Sequence, residues 1–225
     1  MLLVIDALFD TDEVQAMRER LGGAAWQPGV ATAGELAREV KHNEQVAAND
    51  EAGRALGETL LRRLAAHPRF MSAALPSRIH PPRFNRYRGG GHYGTHVDGA
   101  VMPLPDGSLL RADLSATLFL TPPEAYDGGE LEIETAFGAQ AVKLAPGDLV
   151  LYPARSLHRV APVTRGERVA AFFWVQSLVR DDAARELLFD LDESIRSLRA
   201  RDAAAPEVLS LSAVYHNLLR RWVAT

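Results

Sequence analysis

The sequence contains no cysteine. That absence removes disulfides, thiolate nucleophiles, iron–sulfur clusters and Cys-ligated zinc, and leaves His and carboxylate as the strong ligands for any metal. A surplus of positive charge is lacking too: 25 Lys plus Arg stand against 29 Asp plus Glu, a formal net charge of −4 with no long basic run. Nucleic-acid binding by bulk electrostatics, which needs Lys and Arg gathered on one face, is not expected. Apolar runs are short, and none approaches the roughly 18 residues of a membrane-spanning helix. The opening Met1-Leu2-Leu3-Val4-Ile5-Asp6 has neither the length nor the preceding positive charge of an export signal. No membrane partner is expected, and the expected location is cytoplasmic. What is present is ordinary globular composition, 47% hydrophobic and 24% charged, enough for one large domain or a domain with an appendage.

Helical signals open the chain. Asp10 precedes Val14, Met17 and Leu21, and Gly22-Gly23 ends the pattern. Thr32-Ala33-Gly34-Glu35 has capping-box form ahead of Leu36 and Val40. Asp50 starts a stretch with Leu56, Leu60 and Leu64, closed by His67-Pro68. From about residue 79 the texture becomes short β-type runs: Arg83 to Tyr87, Leu114 to Leu120, Glu130 to Glu134, Ala141 to Leu144, Leu149 to Tyr152 and Val169 to Val175. Strands without helices between them imply an antiparallel sandwich or barrel. Leu131 and Ile133 alternate with glutamates and are expected to face a core. After Val179 two apolar stripes, Leu187 to Leu198 and Leu211 to Trp222, predict a helical hairpin that covers the β core or contacts another subunit.

The chemically dense stretch is Asn85 to Asp98, in which Gly89-Gly90-Gly91 and Gly94 make a helix improbable. At strand period two, His96 and Asp98 project to one side. An imidazole and a carboxylate side by side supply two ligands of the 2-His-1-carboxylate arrangement, which leaves open positions on Fe(II). His158, after the apolar run Leu149 to Tyr152 and a turn, is the candidate third ligand. Arg168 opens the next strand, and its guanidinium can grip a carboxylate through two parallel hydrogen bonds. His92 is expected in a loop or beside the ligands, and His42, His67, His80 and His216 in surface or packing roles. Arg86, Arg88 and Arg155 either steer an anionic substrate or are solvated, and Phe173 and Trp174 are expected in the core or barrel wall. The Pro- and Gly-containing stretch Gly99 to Leu109, directly after Asp98, is a candidate mobile cover or an ordinary surface loop.

On these residues the chain resembles the Fe(II)- and 2-oxoglutarate-dependent dioxygenases, and more closely the bacterial PKHD-type hydroxylases associated with iron uptake. The resemblance runs over nearly the whole length, including the Thr32 and Val40-Lys41 region, Tyr87 to Asp98, Asp113 to Thr117, Tyr126 to Leu131 and the helical tail. It implies a mainly β fold with flanking helices: a double-stranded β-helix, or jelly roll, within residues 1–179 that include the N-terminal helices, and a C-terminal helical extension over 180–225. It implies that His96, Asp98 and His158 bind Fe(II) and that Arg168 pairs with the distal carboxylate of 2-oxoglutarate. Tyr87 matches a position where related prolyl hydroxylases place a co-substrate-contacting Tyr. Where those relatives carry another Tyr on a core strand, this chain has Leu118. The implied reaction consumes O2 and 2-oxoglutarate, releases succinate and CO2, and hydroxylates a peptide, amino-acid-like or siderophore-related substrate. L-ascorbate is expected from the family as a reductant of the iron. Two other readings stand beside this one: a non-catalytic Fe(II) or 2-oxoglutarate sensor in iron homeostasis, and a His/Asp/His zinc hydrolase. Self-association through the C-terminal helices is a further expectation.

Overall fold

The computed structural model describes residues 1–32 and 40–224, so the expected capped helix running through Glu35 and Leu36 lies outside the described residues. Helix α1, Thr11–Gly22, begins where expected because Asp10 accepts from the Glu13 amide while the Glu13 side chain reaches back to Asp10. Its buried stripe is Val14, Met17 and Leu21. Helix α2, Glu51–Ala66, is capped by Asp50 and buries Leu56, Leu60 and Leu64, each such side chain contributing roughly 1.5–3 kcal/mol of transfer free energy. His67 ends it and then caps a short helix the sequence did not suggest, α3, Pro68–Ala74, by accepting the Phe70 amide on Nδ1.

The strands are β1 Leu3–Ile5, β2 Trp26–Pro28, β3 Lys41–His42, β4 Glu44–Val46, β5 Pro76–Ile79, β6 Arg83–Arg88, β7 His92–His96, β8 Val101–Pro103, β9 Leu109–Arg111, β10 Leu114–Phe119, β11 Leu131–Thr135, β12 Gly138–Val142, β13 Leu149–Pro153, β14 His158–Val160 and β15 Glu167–Ser177. The larger sheet runs β1-β13-β10-β15-β6-β4-β2, with β5 also on β15, and the smaller runs β12-β11-β14-β7-β3. All described pairings are antiparallel. The opening apolar run is thus an outer strand of the larger sheet, bonded to β13.

Strand alternation separates two cores. Leu114, Ala116, Leu118, Leu149, Leu151, Val169, Ala171 and Phe173 face helices α1 to α3, packed with Leu56, Leu60, Leu64 and Phe70. The opposite faces turn toward the smaller sheet, where Tyr87, Phe119, Val150 and Tyr152 meet Leu131, Ile133 and Val160. This is the expected jelly roll, and Leu131 and Ile133 point inward as their alternation with glutamates required. The site lies between the sheets, at the polar end of that inner layer.

Helices α4, Asp182–Arg201, and α5, Pro206–Trp222, form the expected C-terminal hairpin. Phe189 of α4 joins the helix-side core, while Tyr215, Leu218, Leu219 and Trp222 of α5 pack around Val179 and Leu188. Leu209 and Val214 of α5 are exposed. Among the described residues no helix is long and apolar enough to cross a membrane.

Candidate metal and co-substrate site

Strand β6 leaves the larger sheet through the Arg88-Gly89-Gly90-Gly91 turn, closed by Gly91 N–H to Arg88 O at 2.9 Å. Gly89 and Gly90 hold φ of +57° and +85°, values that need glycine at both central positions. The turn carries the chain into β7 of the smaller sheet, which ends at His96. Strand β14 begins at His158, directly opposite His96 in the β7–β14 register. A strand and turn thus bring the second histidine of the trio beside the first, as the sequence suggested, and Asp98 lies just beyond the end of β7.

Ligand atoms of His96, Asp98 and His158 lie within 4.8 Å of one another. The Asp98 carboxylate oxygens are 3.9 Å from His96 Nε2 and 3.7 Å from His158 Nε2, too far for hydrogen bonds. The histidines' other nitrogens meet backbone carbonyls, His96 Nδ1 with Gly94 O at 2.8 Å and His158 Nδ1 with Ser156 O at 3.0 Å. A carbonyl only accepts, so each Nδ1 carries the proton and each Nε2 turns a free lone pair toward Asp98. That is how metal-ligating histidines are held. Ser115 Oγ–H donates to Asp98 Oδ2 at 2.5 Å, fixing the carboxylate. Burial, then the neighbouring His158, lowers the His96 pKa to about 4, so its ring is neutral at pH 7. Tyr93 stacks on the His96 ring at 3.6 Å between centroids.

A cavity of about 770 Å³ runs from this trio into the jelly roll. At its deep end is Arg168, 1% exposed. Its guanidinium sits over the rings of Phe119 and Tyr87, at 5.0 and 5.5 Å, and its Nε has no hydrogen-bond partner. Among the described residues no carboxylate comes within ion-pair distance of it. A buried cation without an anion is costly, so this end of the cavity suits an anionic ligand. Burial raises the pKa of the Tyr87 phenol, which keeps it a protonated donor beside Arg168. Gly129, at φ +68°, makes room: a Cβ there would lie 3.1 Å from Arg168 Cδ and 2.9 Å from the Tyr126 ring.

Leu118 faces away from this cavity. It belongs to the helix-side core, and the β10 residues on the cavity side are Ser115, Thr117 and Phe119. The substitution of Leu for Tyr noted in the sequence therefore leaves the anion-binding end unaltered, and Tyr126 and Tyr87 flank Arg168 instead. Arg86 and Arg88 point outward into an ion-pair cluster with Glu44, and Arg155 pairs with Asp182 at 2.7 Å. None of the three lines the cavity. His92 meets Gly90 O and tilts against His42, away from the trio. His80, by contrast, is buried edge-on to Trp174 in the cavity wall. Sequence reasoning gave no role to Lys41, Arg83, Ser115, Thr117 or Tyr152, all of which line the cavity. The stretch after Asp98 is a β8–β9 hairpin, tied down by Arg78 to Leu109 O at 3.1 Å and Ser108 Oγ at 2.6 Å.

Comparison with known proteins agrees with this geometry. Residues 82–176 match the 2OG-Fe(II) oxygenase superfamily and residues 182–224 match the PKHD-type hydroxylase C-terminal domain. A PKHD-type hydroxylase of Teredinibacter turnerae is 59% identical over 99% of both chains. Another from Acidovorax ebreus is 58% identical, also over 99% of both. Among solved structures, a Pseudomonas putida prolyl-4-hydroxylase superposes with a TM-score of 0.54 at 22% identity, over 78% of this chain and 92% of its own, a likeness of fold.

Proposed function

The chain belongs to the PKHD-type hydroxylases within the 2OG-Fe(II) oxygenase superfamily, and from that premise we propose that it hydroxylates a peptide, amino-acid-like or siderophore-related substrate, consuming O2 and 2-oxoglutarate and releasing succinate and CO2. The family implies Fe(II) and 2-oxoglutarate, and the donor set fits both: two imidazoles and a carboxylate for the ion, and a buried cation for the dicarboxylate. Bound together, Fe(II) and 2-oxoglutarate activate O2 and supply the oxidising power for inserting a hydroxyl into a C–H bond.

The protein's part is to bind, orient and exclude water. His96, Asp98 and His158 would hold the ion, their ligand atoms oriented by Gly94 O, Ser156 O and Ser115. Arg168 would receive the distal carboxylate of 2-oxoglutarate, which a guanidinium can grip by two parallel hydrogen bonds, with Tyr87 beside it. Apolar side chains of the inner layer, among them Phe119, Leu131 and Val160, keep water from that end and strengthen the ion pair. The single observation that carries this reading is the pairing of a His/Asp/His trio with a buried arginine that, among the described residues, has no carboxylate partner, in one cavity. A zinc hydrolase has no use for that arginine.

L-ascorbate enters as an expectation of the family, for recovering iron oxidised without productive turnover. The near-balanced charge favours no nucleic-acid partner, the short apolar runs no membrane partner, and both fit a cytoplasmic location. Exposed Leu209 and Val214 support a homo-oligomer contact through α5. Residues 1–179 are read as the oxygenase domain and 180–225 as its helical extension. The test is succinate release from 2-oxoglutarate with Fe(II) in air. Wild-type protein should form succinate, Asp98→Ala should not, and His92→Ala should retain it. Equal succinate from wild type and Asp98→Ala would overturn the assignment.

A further inference from the structure

The cavity has a second anion-seeking group that the chemistry above does not use. Arg83 begins β6 on the same strand face as Asn85 and Tyr87, and it lines the cavity. It stands opposite Phe172 in the β6–β15 register, and Phe172 stands opposite Thr117 on β10. The side chain is partly buried, enough to pull its pKa below the ordinary arginine value, and among the described residues no carboxylate or carbonyl accepts from it. Apart from Asp98, the residues lining the cavity supply no negative charge. His80 is held neutral chiefly by burial. Lys41 is itself cationic, its pKa lowered to about 8 first by burial and then by Arg83.

The two positive charges of Fe(II) and the one of Arg168 are matched by the two negative charges of 2-oxoglutarate and the one of Asp98. The loaded centre is thus neutral, and Arg83 stays uncompensated. Ser115, which holds Asp98, is on β10 opposite Trp174, and Arg83 is on β6 opposite Phe172, so their backbones are two strand spacings, about 10 Å, apart across the sheet and two residues apart along it. That leaves Arg83 away from the metal trio yet within one small molecule's length of it. Between them runs an aromatic wall: Phe172 and Trp174 meet edge to face at 5.6 Å between ring centroids, and Trp174 meets His80 at 5.2 Å.

We propose that Arg83 anchors the substrate: it grips a carboxylate on a substrate whose apolar body lies against Phe172 and Trp174, and so holds a nearby C–H bond over the metal trio. This inference rests on the oxygenase reading above and narrows its substrate class to carboxylate-bearing molecules with an apolar portion. The carboxylate is either that of a free acid or an acidic side chain of a peptide.

The test uses full-length protein loaded with Zn(II) and saturating 2-oxoglutarate, which blocks turnover and occupies the Arg168 end. Fluorine NMR then follows 4-fluorophenylacetate against 4-fluorophenylacetamide. Wild-type protein is expected to bind the acid at least tenfold more tightly than the amide, and Arg83→Gln to erase that preference. A capped dipeptide of glutamate and 4-fluorophenylalanine, whose only anion is the side chain, distinguishes a peptide-borne carboxylate from a free one, and Arg83-dependent binding of either supports the proposal. Equal binding of acid and amide by wild type together with dipeptide binding that ignores Arg83→Gln, no binding of either the acid or the dipeptide at millimolar concentration, or an acid preference that survives Arg83→Gln would overturn it. Loss of 2-oxoglutarate binding in Arg83→Gln would also overturn it, by assigning Arg83 to the co-substrate. Failure of the wild-type Fe(II) protein to bind 2-oxoglutarate, read separately by absorbance, would bring down the oxygenase reading itself.

Discussion

Ser115 touches the metal trio only through Asp98, yet it decides which carboxylate oxygen is free to turn toward His96. Ser115→Ala is expected to weaken metal binding by about 10–100-fold, the usual effect of removing a hydrogen bond behind a ligand, with little change in thermal stability of the metal-free protein. Metal titration read by intrinsic fluorescence checks this, and unchanged affinity would mean that Asp98 holds its position unaided. Arg168→Ala removes the buried cation and should weaken 2-oxoglutarate by about 2–5 kcal/mol, or at least ~30-fold. Fe(II) affinity should barely move, and isothermal titration separates the two constants; equal loss of both would make Arg168 a structural residue. The ligands were legible because His96, Asp98 and His158 stand on or beside β segments whose period and turns can be read locally. Arg83 and Ser115 were not, because their meaning comes from pairings across sequence, β6 with β15 and β10 with β15, and from an aspartate on another element.

At the scale of the element, turns do the positioning. Gly129 sits at φ +68° where a Cβ would press on Arg168, Tyr126 and Val163. Gly129→Ala is therefore expected to cost about 1–3 kcal/mol and to weaken 2-oxoglutarate as well, seen as a lower Tm with a raised Kd. A drop in Tm with an unchanged Kd would show that Arg168 tolerates the intrusion. The β8–β9 hairpin borders the cavity with Met102 and Pro103 and is pinned by Arg78. Arg78→Ala should speed amide exchange across 101–111 while leaving the exchange of β10 unchanged; no change would mean that β8–β9 pairing alone holds the hairpin. The sequence showed this stretch only as Pro- and Gly-containing chain, since strands of three residues carry too few alternations to register. Likewise α3 was hidden behind His67-Pro68, which reads as a helix end and here also serves as the next helix start.

For the whole molecule, net charge said little, because −4 averages an outer surface of ion pairs with a cavity that holds Lys41, Arg83 and Arg168 against Asp98. The pH dependence of stability follows from the interior. His96 has a folded pKa lowered to about 4 from 6.5, so between those values the unfolded chain binds the proton and the folded one does not. Its contribution is complete above pH 6.5 and is lost as pH falls toward about 4. Denaturant unfolding of the metal-free protein at pH 7, 6 and 5 should show that decline, and His96→Gln should flatten it. A pH slope unchanged by that substitution would place the proton uptake on other groups. The jelly roll and the helical hairpin were legible as classes from alternation and helical period. The arrangement of two sheets around a charged cavity was not, since it depends on long-range register.

The most direct measurement is an anaerobic titration of the Fe(II)-loaded protein with 2-oxoglutarate, followed by visible absorption. Wild-type protein should develop the weak charge-transfer band of an Fe(II)–2-oxoglutarate chelate, Arg168→Ala should need far more 2-oxoglutarate to reach it, and Asp98→Ala should not show it. Wild-type protein that binds Fe(II) and gives no band at saturating 2-oxoglutarate would contradict the assignment of this cavity to oxygenase chemistry.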